Sequence, residues 1–479
     1  MIPSLEIGKR ALLASQRGLD VTSNNIANVN TAGYSRQALM LRPGETVSLG
    51  GTMIGMGVLT AGIRQFRDSL IERDWRTYTA AQNRYQQDAT ILAQIEQALG
   101  EPGDQTLQTA MQRFFDAASQ LAANPSRLSD RQLFVARASD LAAQFNRSSL
   151  AIEDIRSSTF VRTTQDVERV NQLLSTIASL NRRIAGSGNA SGQTAPSLTD
   201  EQTQALQELS KYLDVTAARD DSGSLTVSSN GMVLVSLDTA LSLRVQKNLD
   251  SATGETTLAF SVEKPDGTTV GSLVPRSGEL ASLAEHYNIT LNPLTTSSGF
   301  SIARELDRLA RTFADRVNAI AAGGYGLNDT GPTPPARAIF VPSSGSTITA
   351  STISINSLLV TDPAAVPTSA TPNTPGNSDI ITAIAALATD GTFLDSMTPE
   401  GYYGSIASRL AQMGASTNDR LSAAKTILEQ VNSERESLSG VNLDEEATNL
   451  ITYQRSFEAA ARIVTATSDM LATVINLGR

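Results

Sequence analysis

The chain has 479 residues, with 38 Lys plus Arg against 48 Asp plus Glu, one histidine and no cysteine. A net charge of -10 argues against a nucleic-acid binder and against an anchor on anionic lipid, since both present basic surface. Without cysteine there is no disulfide, no thiolate catalysis and no Cys-ligated metal, and any histidine-dependent triad or metal centre would have to be built on His286.

The length suggests about three domains. No apolar run reaches the roughly 18 residues of a membrane-spanning helix. The opening residues lack the charged and apolar regions of a Sec-type signal peptide, so export would need another route.

The first thirty residues carry a heptad. Leu5, Leu12, Leu19 and Ile26 recur every seven residues, with Gly8, Ser15, Thr22 and Val29 between them. This spacing predicts a helix with a coiled-coil seam of alternating large and small positions. Residues 32–62 hold seven glycines and one proline and read as extended chain and turns. A helical stripe is expected from Ile63 to Leu99, through Leu70, Trp75, Tyr85 and Leu92, closed by Gly100, Pro102 and Gly103. A shorter helix follows through Phe114 and Leu121 to Asn124-Pro125.

Residues 126–185 contain no Gly or Pro, while apolar residues recur from Leu133 to Ile184. One helix of this length, or two broken at Ser157-Ser158-Thr159, makes a rod rather than a compact enzyme core. Residues 186–196 read as a flexible linker, and Thr199 with Gln202 as a capping box for a helix ending near Leu213. The period then changes to two. Strands are expected at 224–228, 232–237, 241–247, 256–263 and 268–274, separated by turn residues such as Asn230-Gly231. Helix returns from Gly278 and is strongest over 302–321. Residues 332–375 hold 8 of the 17 prolines, and Asp362 is the only charge from 338 to 378. A strand pair is expected at 347–355 and 358–361, then helices over 378–388 and 399–438. The final segment repeats the opening device, with Leu443, Ala447, Leu450, Gln454, Phe457, Ala461, Val464, Ser468, Leu471 and Ile475 at four-three spacing.

No catalytic set assembles from these residues. Asp444-Glu445-Glu446 fits a helix start, where carboxylates meet the positive end of the dipole, better than a cation site. Glu285-His286 has no nucleophile or ligand motif beside it. The glycine-rich run 50–57 lacks the Gly-Lys-Ser/Thr ending of a phosphate loop. No catalytic residue, metal ligand or cofactor site is assigned.

Two stretches carry a specific resemblance. Asn24-Asn25-Ile26-Ala27-Asn28-Val29-Asn30-Thr31-Ala32-Gly33-Tyr34-Ser35-Arg36-Gln37 resembles the N-terminal motif of the bacterial flagellar axial proteins. Ser439-Gly440-Val441-Asn442-Leu443-Asp444-Glu445-Glu446 with 449–462 resembles the other end of the same family. The helical block over 63–185 and the run Gly324-Tyr325-Gly326-Leu327-Asn328 resemble the members at the hook–filament junction more than the rod or hook members.

The resemblance implies an exported structural protein of the flagellum, carried by its type III apparatus. Another axial protein of hook or rod, or a secreted coiled-coil adhesin, are the alternatives. The implied partners are the hook protein, a second junction protein, further copies of the chain, and an export chaperone on the C-terminal helix, with no nucleic acid and no membrane. The implied assembly residues are Leu5, Leu12, Leu19, Asn24, Asn25, Ile26, Asn28, Asn30, Gly33 and Tyr34 at the N-terminus. At the C-terminus they are Leu443, Leu450, Tyr453, Gln454, Phe457, Ala461, Val464, Leu471 and Ile475, which the chaperone would also cover.

The expected fold is α+β and multidomain, mainly long helices with a small antiparallel β domain inserted mid-chain. Residues 1–31 and 441–479 would pair as an inner tube, disordered in the monomer. Residues 32–214 and 276–440 would form a helical rod domain, with 215–275 as the β domain. Residues 332–378 are read as part of an outer β region.

Overall fold

A computed structural model describes residues 2–31, 33–49, 52–100, 106–191, 196–220 and 223–477. The expected glycine pair 50–51, the stop at 102–103, linker residues 192–195 and turn residues 221–222 lie outside the described residues.

The chain opens with helix α1 (Ile2–Ala27). Strands β1 (Gln37–Pro43), β2 (Thr46–Leu49), β3 (Thr52–Gly55) and β4 (Val58–Gln65) then make one long antiparallel hairpin. Gly44 N–H to Gly57 O (2.7 Å) and Met56 N–H to Glu45 O (2.9 Å) join its two halves. Ile63 therefore belongs to a strand, not to the expected helix. That helix, α2 (Ser69–Ala98), starts where the Asp68 side chain accepts from Leu70 N–H (2.7 Å).

Helices α3 (Leu107–Ala123) and α4 (Leu128–Ser191) follow. The 64 residues of α4 run about 95 Å at 1.5 Å per residue. The hydroxyl cluster at 157–159 does not break it, because Ser158 and Thr159 both donate back to Ile155 O. The helix also continues into the expected linker, as far as Ser191. Helix α5 (Pro196–Tyr212) begins at its proline, so Thr199 and Gln202 are interior and form no capping box. Gln202 is buried and donates to Asn181 (2.5 Å) instead.

The β region holds a strand not expected, β5 (Val215–Arg219), before β6 (Leu225–Ser229), β7 (Met232–Ser236) and β8 (Thr239–Ala240). These four form one antiparallel sheet, and β9 (Ser242–Leu249), β10 (Thr256–Glu263) and β11 (Thr269–Leu273) form a second. Both lie along α4, and Val227, Leu234, Phe260 and Val262 share one continuous core with Val170, Leu174 and Ile177 of that helix.

Helix α6 (Glu279–Glu285) runs on as a π-turn over His286–Thr290 and is followed by α7 (Ile302–Ala321). Gly278, before α6, has φ +82°, and a Cβ there would lie 2.4 Å from the Tyr212 carbonyl, so only glycine fits.

The expected strand pair over 347–361 is not formed as placed. The strands are β12 (Phe340–Pro342) and β13 (Ile353–Ile355), and residues Ser357–Thr361 are the short helix α8, capped by Asn356. Nor is 332–378 an outer β region in this arrangement. Phe340, Ile353, Leu359 and Val366 are buried in the main core, beside Phe114, Phe134, Phe145 and Phe313. Arg131, fully buried on α4, fastens the segment: it donates to Pro125 O, Ala364 O, Val366 O and Thr368 Oγ1 at 2.6–3.2 Å. Helix α9 (Asp379–Ala386) precedes α10 (Pro399–Ser439), which returns antiparallel along α2, and α11 (Leu443–Leu477) closes the chain.

One device joins helices to extended chain at several places. A helix asparagine uses Oδ1 and Nδ2 to pair with the N–H and C=O of a single backbone residue. Asn171 does so with Leu243 (2.7 and 2.8 Å), Asn181 with Leu225 (2.9 and 2.8 Å) and Asn25 with Gln37 (3.0 and 2.8 Å). Asn288 with Leu258 and Asn318 with Phe340 repeat it. Buried main-chain groups must find partners, and an amide supplies one donor and one acceptor at the right spacing.

Candidate assembly interface

Helices α1 and α11 pack antiparallel. Gly8 faces Val464, Gly18 faces Tyr453 and Asn25 meets Glu446. The buried positions of α1 are Gly8, Ser15, Gly18, Thr22 and Asn25, flanked by Ala14 and Val21. These keep the four-three spacing, but the phase is set by the small residues. Leu5, Leu12, Leu19 and Ile26 sit half-buried at the edges. A Cβ on Gly18 would lie 2.5 Å from the Tyr453 ring, so the helices are closer there than any side chain permits. Gly18→Leu is expected to force them apart and to lower the amount of subunit incorporated into flagella severalfold, read by immunogold label.

On α11, Leu450, Tyr453, Phe457, Ala461, Val464 and Leu471 are half-buried against α1. Leu443, Gln454 and Ile475 are exposed instead. Ile451, Ile463, Met470, Val474 and Leu477 are also 49–82% exposed, although Ile463 lies beside Gly8 of α1.

At one end of this pair the two sequence motifs meet. Asn25 is 1% exposed. Its Nδ2 donates to Glu446 Oε2 (3.0 Å) as well as to Gln37 O, while Tyr34 Oη donates to its Oδ1 (2.7 Å). Arg36 bridges Glu446 (2.8 Å) and Glu445 (2.6 Å), and its backbone N–H donates to Ser439 O (2.9 Å). Burial works against the Arg36 charge, but hydrogen bonds to both carboxylates raise its pKa. Burial, then the charges of Asp200 and Glu446, push the Tyr34 phenol well above its ordinary range. Asn442 caps α11 by accepting from Asp444 N–H (3.0 Å). So Glu445 and Glu446 do sit at a helix start, but the cation across the chain is what holds them.

Asn24 and Asn28 form an exposed ladder (2.9 Å) with Thr31, and Asn30 is exposed. Gly33 takes φ +81° in the turn between α1 and β1. With 432–442 this turn bounds an open cleft of about 800 Å³. The elbow is tied to the rod by Arg67, which holds Ser35 (2.8 Å) and Asp200, and by Arg435, which pairs with Glu72 (3.1 Å) above Trp75.

Arg36, Asn442 and Glu446, all inside the quoted motifs, were not among the expected site residues, and Gly18 lay outside the expected seam. His286 is buried in the core between Asp88 and Thr290, both at 3.1 Å. Among the described residues no group of three or more His, Asp or Glu could hold a metal ion, and no helix is long and apolar enough to cross a membrane.

Comparison with known proteins settles the family. Residues 92–334, half of the chain, match the family model described as the flagellar hook-associated protein FlgK helical domain. The chain belongs to the FlgK family of flagellar hook-associated proteins. Residues 5–34 match the flagella basal body rod protein model, and 433–477 the C-terminal model of the rod proteins FlgEFG. Flagellar hook-associated protein 1 of Bacillus subtilis is 27% identical over 98% of this chain and 97% of its own length. The protein of that name from Escherichia coli is 25% identical over 97% and 98%. The fold resembles that of the flagellar hook junction protein FlgK from Burkholderia pseudomallei, with a TM-score of 0.59 and 16% identity over 76% of this chain and 100% of that one. The chain is thus a structural, non-enzymatic component of the extracellular flagellum at the hook–filament junction, built to assemble with other axial proteins.

Proposed function

We propose that the α1/α11 pair and its elbow are the part through which this subunit joins the axial structure, with the hook protein on one side and a second junction protein on the other. The supporting observation is the apolar surface that α11 leaves uncovered beside α1, where Ile451, Ile463, Met470, Val474, Ile475 and Leu477 are exposed along one 35-residue helix. Such a surface needs cover in the assembled state. In the free subunit this pair, 1–31 with 441–479, is largely unfolded, because small-residue helices with one partner are marginal in water. That state suits passage through the type III apparatus, with a dedicated chaperone covering the α11 stripe until export. The rod of 32–214 and 276–440 and the β domain of 215–275 form the outer shells.

Leu450→Asp tests this reading. It should abolish incorporation into flagella, while the rod keeps its helical signal and melting temperature. Immunogold label against the β domain should mark a narrow band between hook and filament in the wild type and vanish in the variant. A variant that still incorporates would refute the assembly role of the pair.

A further inference from the structure

Away from the assembly elements, α4, α5 and α6 enclose a small group of ionisable side chains. Arg162 on α4 donates to Asp166 Oδ1 (3.1 Å) and to Glu279 Oε1 (2.7 Å) on α6. Asp166 and Glu279 are 5% and 9% exposed, while Arg162 reaches solvent. The second oxygen of Asp166, Oδ2, is buried with no donor. One guanidinium thus serves two buried carboxyl groups on different helices, and one oxygen lacks a proton to share.

We propose that Asp166, Glu279 and Arg162 form a proton-dependent latch that holds α6, the root of the β domain, against α4. With Asp166 neutral, its hydroxyl donates to the Glu279 carboxylate, and Arg162 neutralises the single remaining charge. With both groups ionised, two buried anions face each other over one cation, and α6 loosens. Burial, then the charge of Glu279, push Asp166 up to about 7, against the pull of Arg162. Tyr212 on α5 faces both carboxyl groups, and burial with their charges raises its phenol as well, so it supplies no countercharge. Arg169 on α4 is taken by Glu208 of α5 (2.5 Å). On the α2 side Arg84 pairs with Glu285 (2.5 Å), and Asp88 with His286 (3.1 Å), at the far end of α6. None of these is free to serve Asp166.

The sign follows from linkage. The folded value lies above the unfolded value of 3.8, so the stabilisation is complete below about pH 3.8, is lost progressively as pH rises toward about 7, and changes no further above that. The test is amide hydrogen exchange on the full chain at pH 4.5 and 7, expressed as protection factors, with α3 as the internal reference, because α7 carries Asp307, whose carboxyl burial also raises. In the wild type, protection of residues 280–285 should fall by up to about tenfold per pH unit between pH 4.5 and 7 relative to α3, and level off above 7. Asp166→Asn keeps a donor toward Glu279 without the charge and should abolish the fall, and Glu279→Gln should do the same. Equal relative protection at both pH values in the wild type would overturn the latch, as would an unchanged fall in both variants or an equal fall in α3.

Discussion

Asn25→Asp is expected to detach α1 from α11 and to leave cells carrying only this variant without junctions and non-motile. The substitution is nearly isosteric, so its effect is electrostatic. Asn25 is 1% exposed and donates to Glu446 and to Gln37 O. Aspartate would lose that donor and face a buried carboxylate and a carbonyl with a second negative charge. Arg36 already serves two carboxylates. An uncompensated buried charge costs about 3–5 kcal/mol, more than an isolated helix pair can absorb. The same logic fixes the pH dependence. The introduced carboxyl would have a raised folded pKa, so the defect should shrink as pH falls and that carboxyl takes a proton that it can donate to Glu446. Asn25→Ala, which leaves the partners unpaired but adds no charge, should cost about 1–3 kcal/mol. Incorporation is scored by immunogold, and the hold of the paired ends by the urea that releases the subunit from isolated flagella at pH 5 and 8. Wild-type incorporation by Asn25→Asp would refute this account of the elbow.

Arg131→Ala should be the most damaging single change in the rod. The guanidinium is fully buried, and burial pushes its pKa down to about 10, against Asp329 and Asp362, so it stays charged at neutral pH. Its fork reaches three carbonyls and one hydroxyl on two separate loops. Alanine would leave these acceptors unpaired beside a cavity, and a loss of about 3–5 kcal/mol is expected. Arg131→Lys should recover little, because a point charge cannot match a planar fork. The loss should appear in the urea midpoint and as chymotrypsin cleavage at Phe340, which is 1% exposed in the intact fold. Cleavage at the wild-type rate would show that the segment is held by other means.

Much of the architecture is legible in the residue pattern because most elements are long and keep one period. The stripe through Ile302, Leu309, Phe313 and Val317 can only be a helix, and Asn230-Gly231 between alternating flanks can only be a hairpin. Short apolar runs defeat the same logic. Residues 358–361 read as a strand, yet Asn356 and Asp362 cap both ends of a single helical turn over Ser357–Thr361. Ile63 fits the stripe of α2 by spacing, but Asp68 starts that helix later, and the register with Leu39 puts Ile63 in the hairpin. In the terminal helix pair, periodicity gives the heptad but not its phase. Gly18 rather than Leu19 faces the partner because Tyr453 fills the space that a side chain would need. The pairing of Arg36 with Glu446 spans 410 positions and leaves no periodic trace. Only the resemblance at both chain ends hinted that these residues belong together.

The asparagine clips carry a consequence for how long a subunit lasts once it is outside the cell. Each clip depends on an intact amide, and hydrolysis to aspartate would set two acceptors against each other in a buried joint. Asparagine loses its amide most readily before glycine, where no side chain shields the attacking backbone nitrogen. Asn25, Asn171, Asn181, Asn288 and Asn318 are followed by Ile26, Gln172, Arg182, Ile289 and Ala319. The one Asn-Gly step in the chain, Asn230-Gly231, lies in an exposed turn, where a new charge would give up one hydrogen bond to Val274 O and be solvated by water. The joints that hold helix to strand are therefore placed where chemical ageing is slow, and the vulnerable amide is placed where its loss would not open the fold.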